Sequence, residues 1–218
     1  MIVLIANNWN PYIPWLSGRF CNRVGVMVSQ DSRWRKPTEC FPYAIDNGRY
    51  QSCIKDQPWD DAAFLAMCAK AACQTPKPLF IVVPDVIGNS QQTLSEWAPW
   101  YKRLHGFGIP LAFAMQDGMD VKDVPPTADW VFVGGTDDWK WGAVGAICEY
   151  FERPRIGGRA KPIHVGRVNT YRRLRACDEC GVTSVDGSGW FRQPSHRKPL
   201  MHYLEQSAAC MISKDRIF

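Results

Sequence analysis

The chain has 218 residues, of which 46% are hydrophobic and 22% charged, and its formal net charge is +5. This length suits one large α/β domain or two small ones, and the composition is that of a globular protein. No apolar run approaches the ~20 residues that a membrane-spanning helix needs, so no membrane partner is expected. Residues 1–15 lack the basic start of a signal peptide, and they are interpreted as the first strand of a cytoplasmic protein.

Cysteine usage points to the same compartment. There are nine cysteines, an odd number with irregular spacing, which favours a reduced, cytosolic protein. The only CxxC joins Cys177 and Cys180 within a basic helical stretch, and no second CxxC or HxxxH follows it. Two cysteines on a helix face are the favoured interpretation, and a zinc site is the alternative.

Eight short β-branched or aromatic runs, each bounded by turn residues, predict eight buried strands. They are residues 2–6, 24–29, 43–46, 79–85, 110–116, 130–134, 163–168 and 183–186. Most of these runs are apolar along their whole length, which is typical of parallel strands covered on both faces.

Helical patterns lie between several of the strands. The predicted helices are residues 60–74, 90–104, 141–151 and 170–180. Pro99 is expected to kink or break the second helix. Asn169 or Thr170 is the expected N-cap of the fourth helix, and Gly181 is expected to end it.

Strands alternating with helices predict a parallel sheet, and a count of eight favours a closed (β/α)8 barrel, one domain over 1–218. This length is near the lower limit for such a barrel. The early helices must therefore be short or irregular, and residues 7–23 and 30–42, rich in Pro, Trp and Arg, are not expected to form regular helices. The alternative is an open doubly wound sheet, although a GxGxxG fingerprint and a P-loop are both absent from the sequence.

Polar residues follow the ends of the predicted strands, where the chemistry of such barrels takes place. They are Asp46, Asp85, Gln116, Asp117, Thr136, Asp137, Arg167 and Asp186. Around one rim they would converge on a pocket that suits a purine-like base, since carboxylates accept from ring N–H groups and a Gln amide donates to a carbonyl. An ionised Asp can attack a sugar carbon while a second carboxyl group handles protons. Phosphoryl transfer is less favoured, because the sequence shows no glycine-rich phosphate cradle or metal cluster.

Positive charge is concentrated in residues 153–198, which carry eleven Lys and Arg against three acidic residues, an excess of eight. Such an excess attracts polyanions, nucleic acid first among them, although a solvated basic surface is the alternative. The predicted nucleic-acid contacts are Arg167, Arg172, Arg173, Arg192, Arg197 and Lys198. Trp139, Trp141, Trp190 and Phe191 are expected near the rim, either stacked on bases or in ordinary barrel packing.

In order and spacing, the strand-end motifs resemble the tRNA-guanine transglycosylase superfamily, and most closely its short bacteriophage members that act on DNA. The resemblance runs from about residue 43 to residue 191. Residues 45–51 are similar to an Asp-Ser-Gly-Gly-Phe-Gln segment, which implies that Asp46 is the general acid/base. Residues 83–85 and 114–118 resemble the strands whose Asp and Gln read the guanine edge and carbonyl, here Asp85 and Gln116.

Two further segments complete the resemblance. Residues 133–136 are similar to a Gly-Gly-Leu segment whose backbone holds the base, which implies base contacts from Gly134, Gly135 and Thr136. Residues 164–166, followed by a helix and residues 181–186, resemble a Gly-Val-Gly…Gly-Val-Asp-Met-Phe-Asp run. That run ends in the nucleophilic Asp, here Asp186.

Some positions depart from the family pattern. Only Cys210 follows Asp186, so the cysteine-rich zinc site of the tRNA enzymes is absent from this sequence, and so is their tRNA-binding extension. Asn47, Arg49 and Tyr50 replace Ser and Gly-Phe beside Asp46, and Asp117 replaces a Gly. DNA is therefore the expected partner, with tRNA as the alternative.

The resemblance implies a ping-pong base exchange in the cytoplasm, or the host cytoplasm if the chain is phage-encoded, in which a 7-deazaguanine such as 7-cyano-7-deazaguanine replaces guanine. Asp186 would form the covalent sugar ester and Asp46 would shuttle the proton, with no cofactor or metal. Two alternatives stay open. One is a non-catalytic nucleic-acid-binding accessory subunit, and the other is a glycosidase that removes guanine without inserting a base.

Overall fold

A computed structural model describes residues 1–6, 10–30, 41–152 and 160–214. It contains all eight predicted strands. They are β1 (Ile2–Ala6), β2 (Val24–Val28), β3 (Tyr43–Ile45), β4 (Ile81–Val82), β5 (Leu111–Met115), β6 (Trp130–Val133), β7 (Ile163–Val165) and β8 (Ser184–Gly187). Most are shorter than predicted at the carboxyl end, where the chain leaves the ladder and turns over the rim.

The strands form a closed barrel in sequence order, with every neighbouring pair parallel. Closure is made by β1 and β8, in register with Leu4 opposite Asp186. The predicted (β/α)8 barrel is therefore confirmed, and the alternative of an open doubly wound sheet is wrong. Closure also brings Asp186, late in the chain, beside the first strand.

Seven α-helices surround the barrel in the described part of the chain. They are α1 (Tyr12–Arg19), α2 (Arg49–Ile54), α3 (Asp61–Ala72), α4 (Ser90–Leu104), α5 (Asp137–Glu152), α6 (Tyr171–Glu179) and α7 (Pro194–Lys214). The four predicted helices are confirmed. In α6 the N-cap is Thr170, whose side chain accepts from the Arg173 backbone N–H, and Gly181 follows the helix with a left-handed φ of 78°.

The expectation that residues 7–23 form no regular helix is wrong, because α1 lies within them. Its Ile13, Leu16 and Ser17 are buried, at the spacing of one helix face. Pro14 is in the first turn, where its missing N–H has no intrahelical partner to lose. The same expectation for residues 30–42 falls largely on 31–40, which lie outside the described residues.

Of the kink or break predicted at Pro99, the break is wrong, because α4 continues from Ser90 to Leu104 as one helix. Trp97, Trp100 and Leu104 are buried and anchor the helix on both sides of Pro99. The carbonyl that Pro99 leaves without a helical donor belongs to Ser95, an exposed residue, so water can solvate it.

The barrel interior holds a small apolar cluster, separate from the larger core between barrel and helices. Its buried members are Leu4, Met27, Ala44, Phe80, Val82, Ala112 and Ala114. Met27 and Val82 also line a cavity that opens at the carboxyl ends of the strands, as do Ala6 and Phe132 beside the cluster. The interior core is thus the floor of the cavity. No helix of the described residues is long and apolar enough to cross a membrane.

Candidate active site

A cavity of about 580 Å³ opens at the carboxyl ends of the strands, and each of the eight strands or the loop after it contributes to its wall. All the predicted catalytic and base-binding residues line it. They are Asp46, Asp85, Gln116, Gly134, Gly135, Thr136 and Asp186. The barrel therefore brings these residues together, while their chemical roles stay predictions.

Asp186 is held from below by a buried histidine. Its Oδ1 lies 3.0 Å from Nε2 of His164, and Nδ1 of His164 lies 2.8 Å from Oγ of Ser184. His164 and Ser184 are register partners on β7 and β8. The imidazole is fully buried, stacked on Phe132 at 4.9 Å and edge-on to Phe80 at 5.1 Å.

This arrangement orients the carboxylate. An ionised carboxylate only accepts hydrogen bonds, so Nε2 of His164 carries the proton and donates to Oδ1. Nδ1 is paired with the Ser184 hydroxyl, which can either donate to it or accept from it. No donor among the described residues bonds to Oδ2 of Asp186, so Oδ2 is the oxygen available for reaction.

The role of His164 is not apparent from the motif, although one signal is present. His164 is a polar residue at the centre of an otherwise apolar strand. Residues two apart in a strand share a face, so His164 faces the barrel interior as Gly166 does at the rim. Gly166 is needed there because a Cβ would lie 2.9 Å from the Phe132 ring and 3.4 Å from Oδ1 of Asp186.

Asp46 follows β3 and has a strongly altered acidity. Burial raises the pKa of its carboxyl to about 7, and the negative charges of Asp186 and Asp85 add to the effect. Hydrogen bonds from the backbone N–H groups of Gly48 and Asn47 act in the opposite direction. A carboxyl group with a pKa near neutrality can both donate and accept a proton, which is what general acid–base catalysis requires.

Asp85 lies between two amide side chains. Nδ2 of Asn47 donates to one carboxylate oxygen and Nε2 of Gln116 to the other, each at 2.7 Å. Oε1 of Gln116 accepts from the Gly88 backbone N–H at 3.2 Å. Burial raises the pKa of Asp85, which the Asn47 hydrogen bond and the Arg49 charge partly offset.

The three side chains of this cluster are buried and fixed, yet they keep unused hydrogen-bonding capacity. Gln116 retains a second N–H, and the Asp85 carboxylate retains acceptor capacity. Asn47 thus holds the Asp85 carboxylate in place.

The loop after β6 gives the cavity a wall of backbone. Gly135 has a φ of 65°, and a Cβ on it would lie 2.3 Å from Oδ1 of Asp117. Thr136 donates both its backbone N–H and its hydroxyl to the Asp117 carboxylate, at 2.6 Å each. Asp117 therefore shapes this loop, and the surface it leaves open to a flat ligand is that of Gly134 and Gly135.

Two of the six predicted nucleic-acid contacts line the cavity, Arg167 and Arg192. Arg167 donates to the Gly135 carbonyl and, at 3.2 Å, to the Tyr50 hydroxyl, and its guanidinium lies over the Tyr50 ring. Arg192 donates to Oγ of Ser188 at 2.9 Å. Both cations are therefore at the mouth of the cavity.

The other four predicted contacts lie outside the cavity. Arg172 is exposed on α6, whereas Arg173 pairs with Asp137 at 2.8 Å and lies over the Trp141 ring. Arg197 and Lys198, on α7, line a second groove. Residues 153–159 of the basic segment, with three of its arginines, lie outside the described residues.

The rim aromatics are chiefly packing residues. Trp190 and Phe191 are buried, and Trp139 and Trp141 pack partly buried against the core. Of the two expectations for Trp190, packing in the barrel is therefore the one that holds, since its ring is not accessible to a base.

A buried lysine supports the wall behind Asp186. Nζ of Lys140 donates to the Gly166 carbonyl at 2.8 Å and lies 3.3 Å from Oδ1 of Asp137. Burial lowers its pKa, and the carboxylates of Asp137 and Asp186 act in the opposite direction. Lys140 thus ties the loop after β7 to α5 and places a positive charge near the Asp186 carboxylate.

Across the described ranges, no group of three or more His, Cys, Asp or Glu side chains could hold a metal ion. Cys177 is buried and Cys180 half-buried, and both are free thiols. Burial raises the pKa of Cys177 to about 12, so its thiol stays protonated at neutral pH. Cys210 has no described side chain.

No family model matches the chain, and no curated protein matches it. Among solved structures 148 chains match. One of them, described as "Native KDPGal structure", has a TM-score of 0.52 and 11% sequence identity over 98% of this chain and 95% of that chain. At this identity the likeness shows the barrel fold alone.

Proposed function

We propose that the protein is a guanine transglycosylase that exchanges guanine in a polynucleotide, DNA in preference to tRNA, for a 7-deazaguanine base. The observation that carries the proposal is one cavity holding two carboxyl groups in different environments. Asp186 is oriented by His164, and Asp46 has a pKa of about 7. A nucleophile and a proton shuttle are the two groups that base exchange requires.

In the first half-reaction, Oδ2 of Asp186 attacks C1′ of the target nucleotide. The C1′–N9 bond breaks, its electron pair goes to guanine, and protonated Asp46 donates a proton to the leaving base. Guanine is released and Asp186 becomes a sugar ester, whose carbonyl oxygen Oδ1 still accepts from Nε2 of His164.

In the second half-reaction, ionised Asp46 takes the N9 proton of the incoming 7-deazaguanine. N9 then attacks C1′, the ester bond breaks, and its electron pair returns to Asp186. Each half-reaction breaks one C1′ bond and forms another, so the exchange balances without any co-reactant.

The Asp85 cluster and the glycine wall suit recognition of both bases. The free lone pairs of Asp85 can accept from the ring N–H and exocyclic amino group of guanine, and the second N–H of Gln116 can donate to its carbonyl. A 7-deazaguanine has the same hydrogen-bonding edge, so one cluster serves the leaving and the entering base.

A polynucleotide is the favoured carrier of the target because of the cations at the mouth of the cavity. A base in a duplex must leave its stack to enter a pocket, at a cost of a few kcal/mol. Arg167 and Arg192 can meet the phosphates on either side of the extruded nucleotide. The short bacteriophage relatives that the sequence resembles act on DNA, which favours DNA as substrate.

The test is incorporation of radiolabelled guanine into oligodeoxynucleotides and tRNA, with Asp186→Asn as the inactive control. We expect incorporation into DNA that exceeds incorporation into tRNA. Release of guanine with no incorporation would identify a glycosidase instead. Binding of polynucleotide with neither release nor incorporation would identify an accessory subunit.

A further inference from the structure

A second groove, of about 390 Å³, lies between α1 and α7. Two large aromatic side chains on α1, Tyr12 and Trp15, are each 49% exposed there and contact one another edge to face at 5.5 Å. The main cavity and the chemistry proposed for it use neither residue.

Cations accompany these rings. The guanidinium of Arg197 lies 5.3 Å from the Tyr12 ring centre, and that of Arg19 lies 5.4 Å from the Trp15 ring centre. Lys198 lines the same groove. Glu205, the acidic residue that lines this groove, pairs with Arg19 at 3.6 Å. Arg197 and Lys198 therefore have no acidic partner in the part of the chain that the structure describes.

Arg197 is incompletely satisfied within the described chain. Its Nε is buried and has no hydrogen-bond partner among the described residues. Its guanidinium lies between Tyr12 and, at 5.5 Å, Phe191. An arginine flanked by two rings keeps its remaining N–H groups available, and a phosphate oxygen could accept from them.

The groove and the main cavity are lined by adjacent residues of the chain. Phe191 lines the groove, and the next residue, Arg192, lines the cavity. Helices of a (β/α)8 barrel begin at the rim where the strands end, and Tyr12 and Arg197 lie in the first turns of α1 and α7. A polynucleotide that leaves the cavity past Arg192 would therefore reach this groove first.

We infer that the groove binds a single-stranded stretch of the polynucleotide beside the target nucleotide. Trp15 and Tyr12 stack on its bases, and Arg197 and Lys198 bind its phosphates. Exposed aromatic rings interleaved with unpaired cations are the features by which proteins bind single strands without reading their sequence. A second copy of the chain is disfavoured as the occupant, because a two-fold contact here would bring like charges together. The inference rests on the proposed function for its substrate.

The experiment measures binding of a fluorescent oligo(dT) by anisotropy, because this probe has no guanine and cannot undergo the proposed exchange. Trp15→Ala and Tyr12→Ala are each expected to weaken binding by about 5- to 100-fold, whereas Trp15→Phe retains most of it. Arg197→Gln should lower the slope of log affinity against log salt by about one. Lys102→Gln, an exposed cation on α4, is the charge-matched control and should have no effect on affinity.

Oligo(dT) affinity unchanged in the Tyr12→Ala, Trp15→Ala double variant would overturn the inference, provided that thermal unfolding shows the variant folded. If light scattering shows that the double variant has a different oligomeric state from the unmodified protein while its oligo(dT) affinity is unchanged, the inference is also overturned and the groove is assigned to self-association. The two proposals fail separately. Trp15-dependent oligo(dT) binding without guanine exchange would contradict only the proposed function, and exchange with an unchanged KM for DNA in Trp15→Ala would contradict only the groove.

Discussion

At the scale of single residues, Asp186 and His164 have different parts in the proposed reaction. Asp186 faces the cavity, while His164 is fully buried beneath it and reaches the substrate only through Asp186. His164 is therefore a positioning residue, and its effect should fall on the rate of the chemical step rather than on binding.

His164→Phe keeps a flat ring against Phe80 and Phe132 but removes the hydrogen bond to Asp186. A hydrogen bond to a charged group contributes about 1.5–3 kcal/mol, so kcat should fall about 10- to 100-fold while KM for the incoming base stays unchanged. Steady-state kinetics separate the two parameters. Ser184→Ala, which leaves Nε2 of His164 in place, should have the smaller effect, and a larger loss in Ser184→Ala would contradict this assignment.

The raised pKa of Asp46 predicts opposite pH dependences for the two half-reactions. Below about pH 7 Asp46 is protonated and can donate to the leaving guanine, so guanine release should slow as the pH rises through 7. Insertion of the incoming base needs ionised Asp46, so it should slow as the pH falls through 7. Single-turnover assays measure each half-reaction separately.

Asp46→Asn should remove both dependences and lower each rate by about 10²–10⁴-fold, the usual contribution of a positioned acid or base. The pH profile distinguishes this effect from a structural one, because a merely distorted site would keep its dependence on pH. If Asp46→Asn kept the pH dependence of both guanine release and base insertion, another group would have to move the proton.

At the scale of elements, the ends of β4 and β5 form the recognition edge of the cavity, since Asp85 and Gln116 follow them and bond to each other. Asp85→Ala and Gln116→Ala should each weaken binding of free 7-deazaguanine at least about tenfold, because each removes a direct partner of the base. Titration calorimetry measures the affinity.

Asn47→Ala provides the matched control for this edge. It removes the clamp on Asp85 while leaving both base-binding groups in place, so its effect should be intermediate. Unchanged affinity in both the Asp85 and the Gln116 variants would place the base elsewhere.

Strands were the most predictable elements, because each is a short apolar run between turn residues. Helices α1, α2 and α7 were not predicted. The short helix α2 has no buried residue and so no hydrophobic period, and α7 contains Pro199. The buried Leu200, Tyr203 and Leu204 of α7 do show helical spacing, and that signal was available in the sequence.

The candidate site was predictable only as a set of strand ends. Which of its polar groups bond to one another depends on barrel closure and strand register, and these are not encoded at any single position. The pairs His164–Asp186 and Asn47–Asp85 join residues 22 and 38 positions apart, so no local pattern announces them. The same holds for the bridge from Arg167 to Tyr50, which are 117 positions apart.

At the scale of the whole molecule, the closed barrel separates a floor of packed apolar side chains from a mouth that carries cations. Neutralising Arg167 and Arg192 together should weaken binding of any polynucleotide and lower the salt slope by about one unit for each phosphate that is no longer bound. Competition binding at two salt concentrations, with duplex DNA, single-stranded DNA and tRNA, provides the measurement.

Arg103→Gln is the control for that experiment, because Arg103 is paired with Asp61 on the outer helices rather than at the mouth. It should leave polynucleotide binding unchanged. Tighter and more salt-resistant binding of tRNA than of DNA would contradict the assignment to DNA.

Base exchange as proposed depends above all on a covalent bond between Asp186 and the sugar of the target nucleotide. The most direct test is to incubate the protein with a guanine-containing oligodeoxynucleotide without an incoming base, denature it, and map the adduct by peptide mass spectrometry. We predict stoichiometric guanine release and a protein–DNA adduct on Asp186, absent from Asp186→Asn. An adduct that persists in Asp186→Asn or maps to another residue would contradict the proposed mechanism, as would base exchange with no adduct.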